Sequence, residues 1–318
     1  MALSTDAFFH DDGLSAVAHT GPMNWSQHFA GANRTIFETA ELKVAGATCR
    51  VLRDAVDEGT LVRVRRGYYA LPATSPHVLE AVRVGGRLGC ISAAADAGVF
   101  AFEERFAHIH VDPTASRLRA PHDRFQRLAN ENRDGVELHW DQLRRPDGGN
   151  EYRVSLPDAL IQVFRCQRPR FALATLENAL HQKLLPVAAV AGIFADLPEE
   201  LQYVRRRVDR RSESGQESVL RWIVLTAGVH CEIQVAIAPI GRVDLLIEGF
   251  LVVEADSRKF HDGWERHSAD RTRDCALAIL GYVTYRALYK DIMYRPERVI
   301  AAIMGLLAAR NRFRTLFV

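Results

Sequence analysis

Residues 241–256 read GRVDLLIEGFLVVEAD, and this stretch decides how the last third of the chain folds. On either side of Gly249 every second residue is apolar, which is typical of strands with one buried face. A connection of three residues with Gly249 in the left-handed region would keep that apolar face continuous through a hairpin. Residues opposite each other on antiparallel strands point to the same side, so Asp244 is predicted to lie directly opposite Glu254.

Three acidic residues therefore gather on one face of the predicted hairpin. Asp256 lies two residues beyond Glu254, on the same side of its strand. Facing carboxylates repel unless a proton or a cation joins them. Hard divalent cations prefer oxygen ligands and suit phosphodiester hydrolysis. We predict that Asp244, Glu254 and Asp256 bind Mg²⁺ (or Mn²⁺), the alternative being exposed acids that bind nothing.

The surrounding elements extend this hairpin into a layered α/β unit. A helix over 213–227 places Glu217 on its apolar face, where a carboxylate needs a partner. Strand-like segments and helices then alternate, and the strand–helix–strand step implies a right-handed parallel crossover. The predicted elements are strands at 231–237, 242–247 and 251–256, a helix at 264–280, a strand at 282–288 and a closing helix at 297–309.

Two quoted segments carry a family resemblance. GRVDLLIEGFLVVEADSRKFH and DRTRDCALAILGYVTYR resemble uncharacterised domains related to very-short-patch-repair endonucleases, which have the restriction-endonuclease-like PD-(D/E)XK fold with an αβββαβ core. The resemblance implies a metal-dependent DNA endonuclease. It assigns the inward glutamate of the first helix to Glu217, the metal-binding aspartate to Asp244 and the acidic pair to Glu254 and Asp256. The helix charges are Asp270, Arg273 and Asp274.

The chain departs from the family pattern in two places. Ser257 replaces a glycine, and Asp256 stands where the lysine of a standard site would orient water. Lys259 or His261 is expected to take over that role. Arg273 is expected to contact a DNA phosphate or pair with an acid. The implied catalytic residues are Glu217, Asp244, Glu254, Asp256, Lys259 and His261.

Residues 33–74 are predicted to form a winged helix-turn-helix. A short helix over 36–44, a helix over 48–58 with Val51, Leu52, Ala55 and Val56 on one face, and a basic hairpin over 61–71 support this. Such a module places a helix in the major groove and a wing on phosphates. The candidate DNA contacts are Thr48, Arg50, Arg53, Arg63, Arg65 and Arg66.

Acidic residues weaken the DNA-binding prediction. Asp54, Asp57 and Glu58 share the solvent side of the second helix and would repel phosphate. A winged module used for protein contacts is therefore the alternative. The segment AGATCRVLRDAVDEGTLVRVRRGYYALP resembles the winged helix of AbiEi-type antitoxins. That resemblance implies DNA as a partner, leaves a cognate toxin open and adds a second functional hypothesis, a non-catalytic transcriptional regulator.

The rest of the chain completes a multi-domain α/β (α+β) prediction. Residues 1–32 form an N-terminal extension, 75–203 a mixed middle domain that weakly resembles AbiEi-like proteins, and 212–318 the nuclease-like domain. The middle domain has predicted helices at 78–83, 156–165 and 173–184 and strands at 107–111 and 135–140. The arginine-rich run 204–211 is interpreted as a solvated linker, with a phosphate-contacting edge as the alternative.

The composition limits the kind of nucleic-acid surface and the cellular location that we expect for the protein. The net charge of +2 means that a nucleic-acid surface must be a local patch. No secretory signal and no stretch of about 18 apolar residues occurs, which favours a cytoplasmic protein without membrane spans. A homodimer is left open.

The cysteines and histidines are interpreted as non-functional. The five cysteines are odd in number, distant and lack a C-x-x-C pair, which argues against disulfides and a zinc cluster. We expect reduced and mostly buried thiols. His108, His110, His122, His139 and His181 are expected to be surface or hydrogen-bonded core residues.

Overall fold

The structure is a computed structural model that describes residues 23–103, 105–256 and 264–316; for 264–267 and 313–316 it describes the backbone alone. The chain divides into two compact units, Met1–Ser75 and Pro76–Val318. Helices combine with three small sheets, so the mixed α/β class is confirmed. Among the described helices, none combines the length and apolar character needed to cross a membrane.

The described part of the first unit has six elements. Two helices and the two strands of the hairpin lie close to the predicted ones, and one helix and one strand were not predicted. Its elements are α1 (Trp25–Gly31), β1 (Ile36–Glu38), α2 (Thr39–Val44), α3 (Cys49–Asp57), β2 (Val62–Arg65) and β3 (Tyr68–Ala70). The strands form one sheet in the order β1-β3-β2, and Gly67 turns the hairpin with φ of 93°. The two short helices and the basic hairpin are confirmed.

Three expectations for the first unit were wrong. Residues 36–38 form a strand because buried Ile36 and Phe37 pair with β3 and fill the core. The predicted extension 1–32 contains α1, whose Trp25 and Phe29 pack into that same core. Val51, expected on the buried face of the second helix, is 39% exposed.

The second unit begins with a helical layer around a three-stranded sheet. Its elements are α4 (Pro76–Val84), β4 (Arg87–Leu88), α5 (Cys90–Asp96), β5 (Ala107–His110), β6 (Val136–His139), α6 (Leu156–Cys166), α7 (Pro169–His181), α8 (Ala189–Ala195), and 3₁₀ helices at Asn130–Asn132 and Glu199–Arg207. The sheet order is β4-β5-β6, with β5 parallel to β6. The three predicted helices and two predicted strands are confirmed.

The unit continues with the predicted helix-and-sheet order. The elements are α9 (Gly215–Thr226), β7 (Cys231–Ile237), β8 (Gly241–Ile247), β9 (Leu251–Asp256), α10 (Trp264–Ile279), β10 (Val283–Leu288), α11 (Tyr289–Tyr294) and α12 (Pro296–Leu316). The sheet order is β10-β9-β8-β7, and β10 runs parallel to β9. The predicted crossover is therefore present, and only the short helix α11 was not expected.

No boundary separates the middle segment from the C-terminal sheet. Buried Glu177 on α7 forms an ion pair with buried Arg221 on α9. A Cβ on Gly215 would lie 2.1 Å from the ring of Phe100, so the start of α9 rests directly on the middle segment. Both features place the two segments in one core.

The arginine-rich run is only in part the solvated linker that was predicted. Four of its arginines are exposed, Arg205, Arg206, Arg210 and Arg211, but two of its residues pack inward. Val204 is fully buried, and the guanidinium of Arg207 lies 4.5 Å from the ring centre of Trp222 on α9. Arg207 also donates a hydrogen bond to the hydroxyl of Thr226, at 2.7 Å. The run therefore covers α9 and contributes to its packing.

The β8–β9 hairpin has the predicted register. Leu245 pairs with Val253, and a three-residue connection separates the strands. Gly249 is left-handed with φ of 66°, as predicted, and so is Glu248. The apolar face is continuous except at Val243, which packs with Leu246 and Val252 in a second cluster on the other side.

Candidate functional site

Asp244 and Glu254 lie on the neighbouring strands β8 and β9, just beyond the Leu245–Val253 pair at which the β8–β9 register ends. In addition to burial, the negative charge of Glu254 is close enough to raise the pKa of Asp244. The Oδ2 atom of Asp244 accepts a hydrogen bond from the backbone N–H of Ala255, at 2.9 Å. This bond holds the Asp244 carboxylate against β9.

Glu217 reaches the same region from the first turn of α9. The Oγ atom of Ser214 caps that helix by accepting from the N–H of Glu217, at 3.2 Å. The Oε2 atom of Glu217 accepts from the N–H of Glu213 at 2.9 Å and from Nε2 of Gln234 at 2.7 Å. The expected inward glutamate with hydrogen-bonding partners is therefore present.

A backbone irregularity brings Gln234 to this position. In the β7–β8 pairing Gln234 stands level with Asp244, and its φ is 54°. Left-handed backbone at a non-glycine residue is unfavourable and persists where surrounding contacts impose it. Here it accompanies the hydrogen bond that orients Glu217.

The charges of Glu217 and Asp244 are poorly compensated. Burial, together with the negative charge of nearby Glu217, raises the pKa of Asp244 to about 6. Burial also raises the pKa of Glu217 above its ordinary value. In the part of the chain that the structure describes, neither carboxylate forms an ion pair. Two half-buried carboxylates with raised pKa values are a typical site for a proton or a cation.

Glu254 is neutralised differently. Its carboxylate contacts Arg286 at 2.9 Å on the adjacent strand β10 and Arg273 at 3.2 Å on α10. Arg286 also contacts Asp274, at 2.8 Å. Two guanidinium groups thus supply the positive charge that the prediction assigned to a metal.

The remaining predicted site residues are only partly brought together. Asp256 ends β9 half-buried, and its backbone carbonyl accepts from Gln216 at 2.7 Å. Within the described ranges, no group of three ligand atoms that includes Asp244, Glu254 or Asp256 converges closely enough for one ion. Lys259 and His261 lie outside the described residues. The prediction that Arg273 pairs with an acid is confirmed by its ion pair with Glu254. Arg273 also donates hydrogen bonds to the backbone carbonyls of Ile240 and Arg242.

Sequence reasoning gave no role to Gln234 or Arg286. Arg286 is the one charged residue of strand β10, and this signal could have identified it as a half-buried counter-charge. No comparable signal exists for Gln234, because a left-handed residue inside a strand has no pattern in the sequence.

The predicted DNA contacts lie on the first unit. Thr48 caps α3 by accepting from the N–H of Val51, at 3.2 Å. Arg50 is 88% exposed and stands 3.8 Å from Asp54. The exposed residues also include Arg53, Arg63 and Arg66, whereas Arg65 is half-buried with its guanidinium 5.9 Å from the ring centre of Tyr68.

The prediction that the thiols are mostly buried was wrong. Among the five free thiols only Cys90 is buried, Cys231 is intermediate and the others are exposed. Cys90 and Cys166 also meet His108 and His139, with ligand atoms within 4.8 Å of one another. Distance along the sequence hid this cluster, because its members come from four different elements.

Comparison with known proteins assigns neither a family nor a function to this chain. A scan against models of known protein families found no match, and a search of curated proteins found no similar sequence. The functional interpretation therefore rests on the residues and their arrangement.

Proposed function

We propose that the protein binds DNA and hydrolyses its phosphodiester bonds with a divalent metal ion, Mg²⁺ or Mn²⁺. The observation that carries this proposal is the pair of half-buried carboxylates, Glu217 and Asp244, which have raised pKa values and form no ion pair with any residue that the structure describes. A divalent ion with oxygen ligands would remove the repulsion that now raises these pKa values.

The carboxylate oxygens fit such an ion chemically. Glu217 and Asp244 would hold it, with water and phosphate oxygens completing its coordination. A bound Mg²⁺ would supply a Lewis acid for phosphate oxygens. Gln234 and the N-terminal cap of α9 would keep Glu217 oriented toward Asp244. Lys259 or His261 would position the attacking water.

Arginines would balance the negative charges of Glu254 and of the DNA phosphates. Arg273 and Arg286 hold Glu254 as a fixed negative charge between β8 and β10. Arg273 is the more exposed of the two guanidinium groups and is therefore the better placed to meet a phosphate. The exposed arginines of the first unit would supply phosphate contacts that deliver the protein to DNA.

Cleavage of supercoiled plasmid tests the proposed activity. The wild type should nick plasmid in Mg²⁺ or Mn²⁺ and not in the presence of a chelator. Asp244→Asn and Glu217→Gln should reduce nicking to background, because each removes a negatively charged ligand of the ion. Glu232→Gln changes an exposed glutamate on β7 and should cleave like the wild type. Nicking that survives both site variants would contradict the proposal.

A non-catalytic DNA-binding regulator is the second candidate function. The observation that favours it is the carboxylate of Glu254, which two arginines already satisfy. This function predicts DNA binding without cleavage. Binding should weaken for Arg63→Ala and Arg66→Ala, and the slope of log K against log salt should fall by about one for each phosphate contact removed. Binding that persists while nicking is absent would favour the regulator.

A further inference from the structure

We propose that Cys90, His108, His139 and Cys166 form a structural zinc site, separate from the acidic site described above. These residues come from the start of α5, from the neighbouring strands β5 and β6, and from the last residue of α6. Their four ligand atoms all lie within 4.8 Å of one another. Two thiolates and two imidazoles are a ligand set that Zn²⁺ takes in closed tetrahedral sites.

The fold itself brings the two histidines together. Strand β5 runs parallel to β6 with His108 level with Glu137 and His110 level with His139. Alternate residues share a face, so His108 and His139 point to the same side of the sheet, offset by two residues. Their nearest ring nitrogens, Nδ1 of His108 and Nε2 of His139, are 3.0 Å apart.

The two cysteines approach from helix ends. The Sγ atom of Cys166 lies 3.8 Å from Nδ1 of His108. A tetrahedral zinc ion with Zn–N bonds of about 2.0–2.1 Å and Zn–S bonds of about 2.3 Å places its ligand atoms about 3.3–3.8 Å apart. Two of the observed spacings, 3.0 and 3.8 Å, bracket that range, and the other pairs of ligand atoms lie within 4.8 Å. Small side-chain rotations would therefore complete the tetrahedron.

A hydrogen-bonded shell fixes the backbone around Cys90. Its N–H donates to Oε1 of Gln162 at 2.9 Å, and its φ is 47°. A Cβ at Gly89 would come within 2.6 Å of that same oxygen, so a side chain before the cysteine would displace Gln162. The hydroxyl of Ser92 accepts from the N–H of His108, at 3.0 Å. Supporting contacts of this kind orient the ligands of metal sites.

The third histidine of this region has a different role. His110 lies on the same strand as His108, but its Nδ1 atom is 3.2 Å from Nε2 of Gln162. Gln162 therefore links His110 to the backbone of Cys90. His110 therefore supports the site through Gln162, whereas the other four residues supply the ligand atoms.

Charge and coordination both favour a structural role. Two thiolates, two neutral imidazoles and Zn²⁺ sum to zero, so no net charge is left in a half-buried site. Binding releases the two thiol protons to solvent as two Zn–S bonds form. Four protein ligands fill the tetrahedron and leave no position for a substrate. The ion would tie the ends of α5 and α6 to the β5–β6 pair.

Metal analysis of the full-length protein tests this site. Protein produced with zinc present should contain one Zn²⁺ per chain by mass spectrometry of the metal. Cys166→Ser and His139→Gln should each lose most of it, and both positions are at least partly exposed, which favours folding of the variants. Cys275→Ser and His230→Gln, both at exposed positions, serve as matched controls and should retain the ion.

Cobalt gives a second measurement that does not depend on activity. Co²⁺ bound by the wild type should show the visible absorption of a tetrahedral ion and thiolate-to-metal charge transfer, and Cys166→Ser should lose the charge-transfer band. Two results would overturn the site. One is wild-type zinc content no higher than that of the ligand variants. The other is a Cys90–Cys166 disulfide in freshly purified protein. Because none of the acidic residues is involved, loss of zinc and loss of nicking are separately measurable.

Discussion

At the scale of single residues, the alternation of side chains along the strands can be predicted from the sequence, whereas the ion pairs of the site cannot. The proximity of Asp244 and Glu254 could be predicted because strand parity and a three-residue turn fix the register of the hairpin. The different electrostatic surroundings of the two carboxylates could not be predicted from the sequence. Glu254 is satisfied by Arg286 and Arg273, whereas Asp244 is left with raised pKa beside Glu217.

Arg286 is predicted to be the most important counter-charge in the C-terminal sheet. It contacts both Glu254 and Asp274, and its removal leaves two carboxylates without their main cation. Arg286→Met should lower the free energy of unfolding by about 2–4 kcal/mol, somewhat less than for a fully buried pair. Denaturant titration measures this change.

Two further variants make that prediction specific. Arg271→Met removes an exposed arginine 3.6 Å from Asp274 and should cost less than about 0.5 kcal/mol. Adding Glu254→Gln to Arg286→Met should restore part of the lost stability, because the uncompensated charge disappears. Equal losses for Arg286→Met and Arg271→Met would contradict the assigned role.

At the scale of secondary-structure elements, periodicity was informative where elements are long and amphipathic. The helices α6 and α7 and the strands of the C-terminal sheet follow their apolar patterns. β1 was missed because three residues carry too little periodicity to distinguish a strand from a helix. α5 was missed because its residues 90–94 are all buried, so no polar face marks it.

Close packing at the start of α9 gives a prediction for this scale. A Cβ on Gly215 would meet the ring of Phe100 at 2.1 Å, which the helix cannot accommodate without moving. Gly215→Ala should therefore destabilise the protein by about 1–3 kcal/mol, as overpacked sites do. Thermal unfolding measures this effect.

Gly192 on α8 is the matched control. Nothing lies within 4 Å of a Cβ at this helical position. Gly192→Ala should leave stability unchanged or raise it by about 0.5–1 kcal/mol, because alanine is the better helix former. A Gly215→Ala variant as stable as Gly192→Ala would show that Phe100 does not constrain α9.

At the scale of the whole molecule, the chain has two compact units where the sequence predicted three domains and an extension. The winged module was predicted to end at residue 74, and the first unit ends at Ser75. Contacts cross the predicted boundary at the arginine-rich run, where Val204 and Arg207 pack inward. Consecutive arginines suggest solvent exposure, and the sequence does not show which guanidinium groups lie over aromatic rings.

The fused core predicts how fragments of the chain behave. A fragment of residues 212–318 would lose Glu177, which accepts a hydrogen bond from buried Arg221, and Phe171, which packs in the core of the C-terminal sheet. Removing one partner of a buried pair typically costs about 3–5 kcal/mol. Circular dichroism and amide NMR should show fragment 76–318 folded and fragment 212–318 largely unfolded. Equal stability of the two fragments would restore the predicted domain boundary.

The central claim is that a divalent cation relieves the repulsion between Glu217 and Asp244, and the thermal stability of Asp244→Asn tests it most directly. The folded-state pKa of Asp244 is raised to about 6. Its contribution to stability is therefore present below the ordinary value of about 4 and is lost as pH rises through 6. Without metal, the variant should be about 1–3 kcal/mol more stable than the wild type near pH 7.5, with a smaller difference near pH 5.

Magnesium should then distinguish the two proteins. At a concentration about tenfold above its dissociation constant, Mg²⁺ should stabilise the wild type by about 1.4 kcal/mol and leave Asp244→Asn nearly unchanged. Asp134→Asn, at an exposed aspartate, should respond like the wild type. A variant less stable than the wild type in the absence of metal, or an equal response of both to Mg²⁺, would contradict the account.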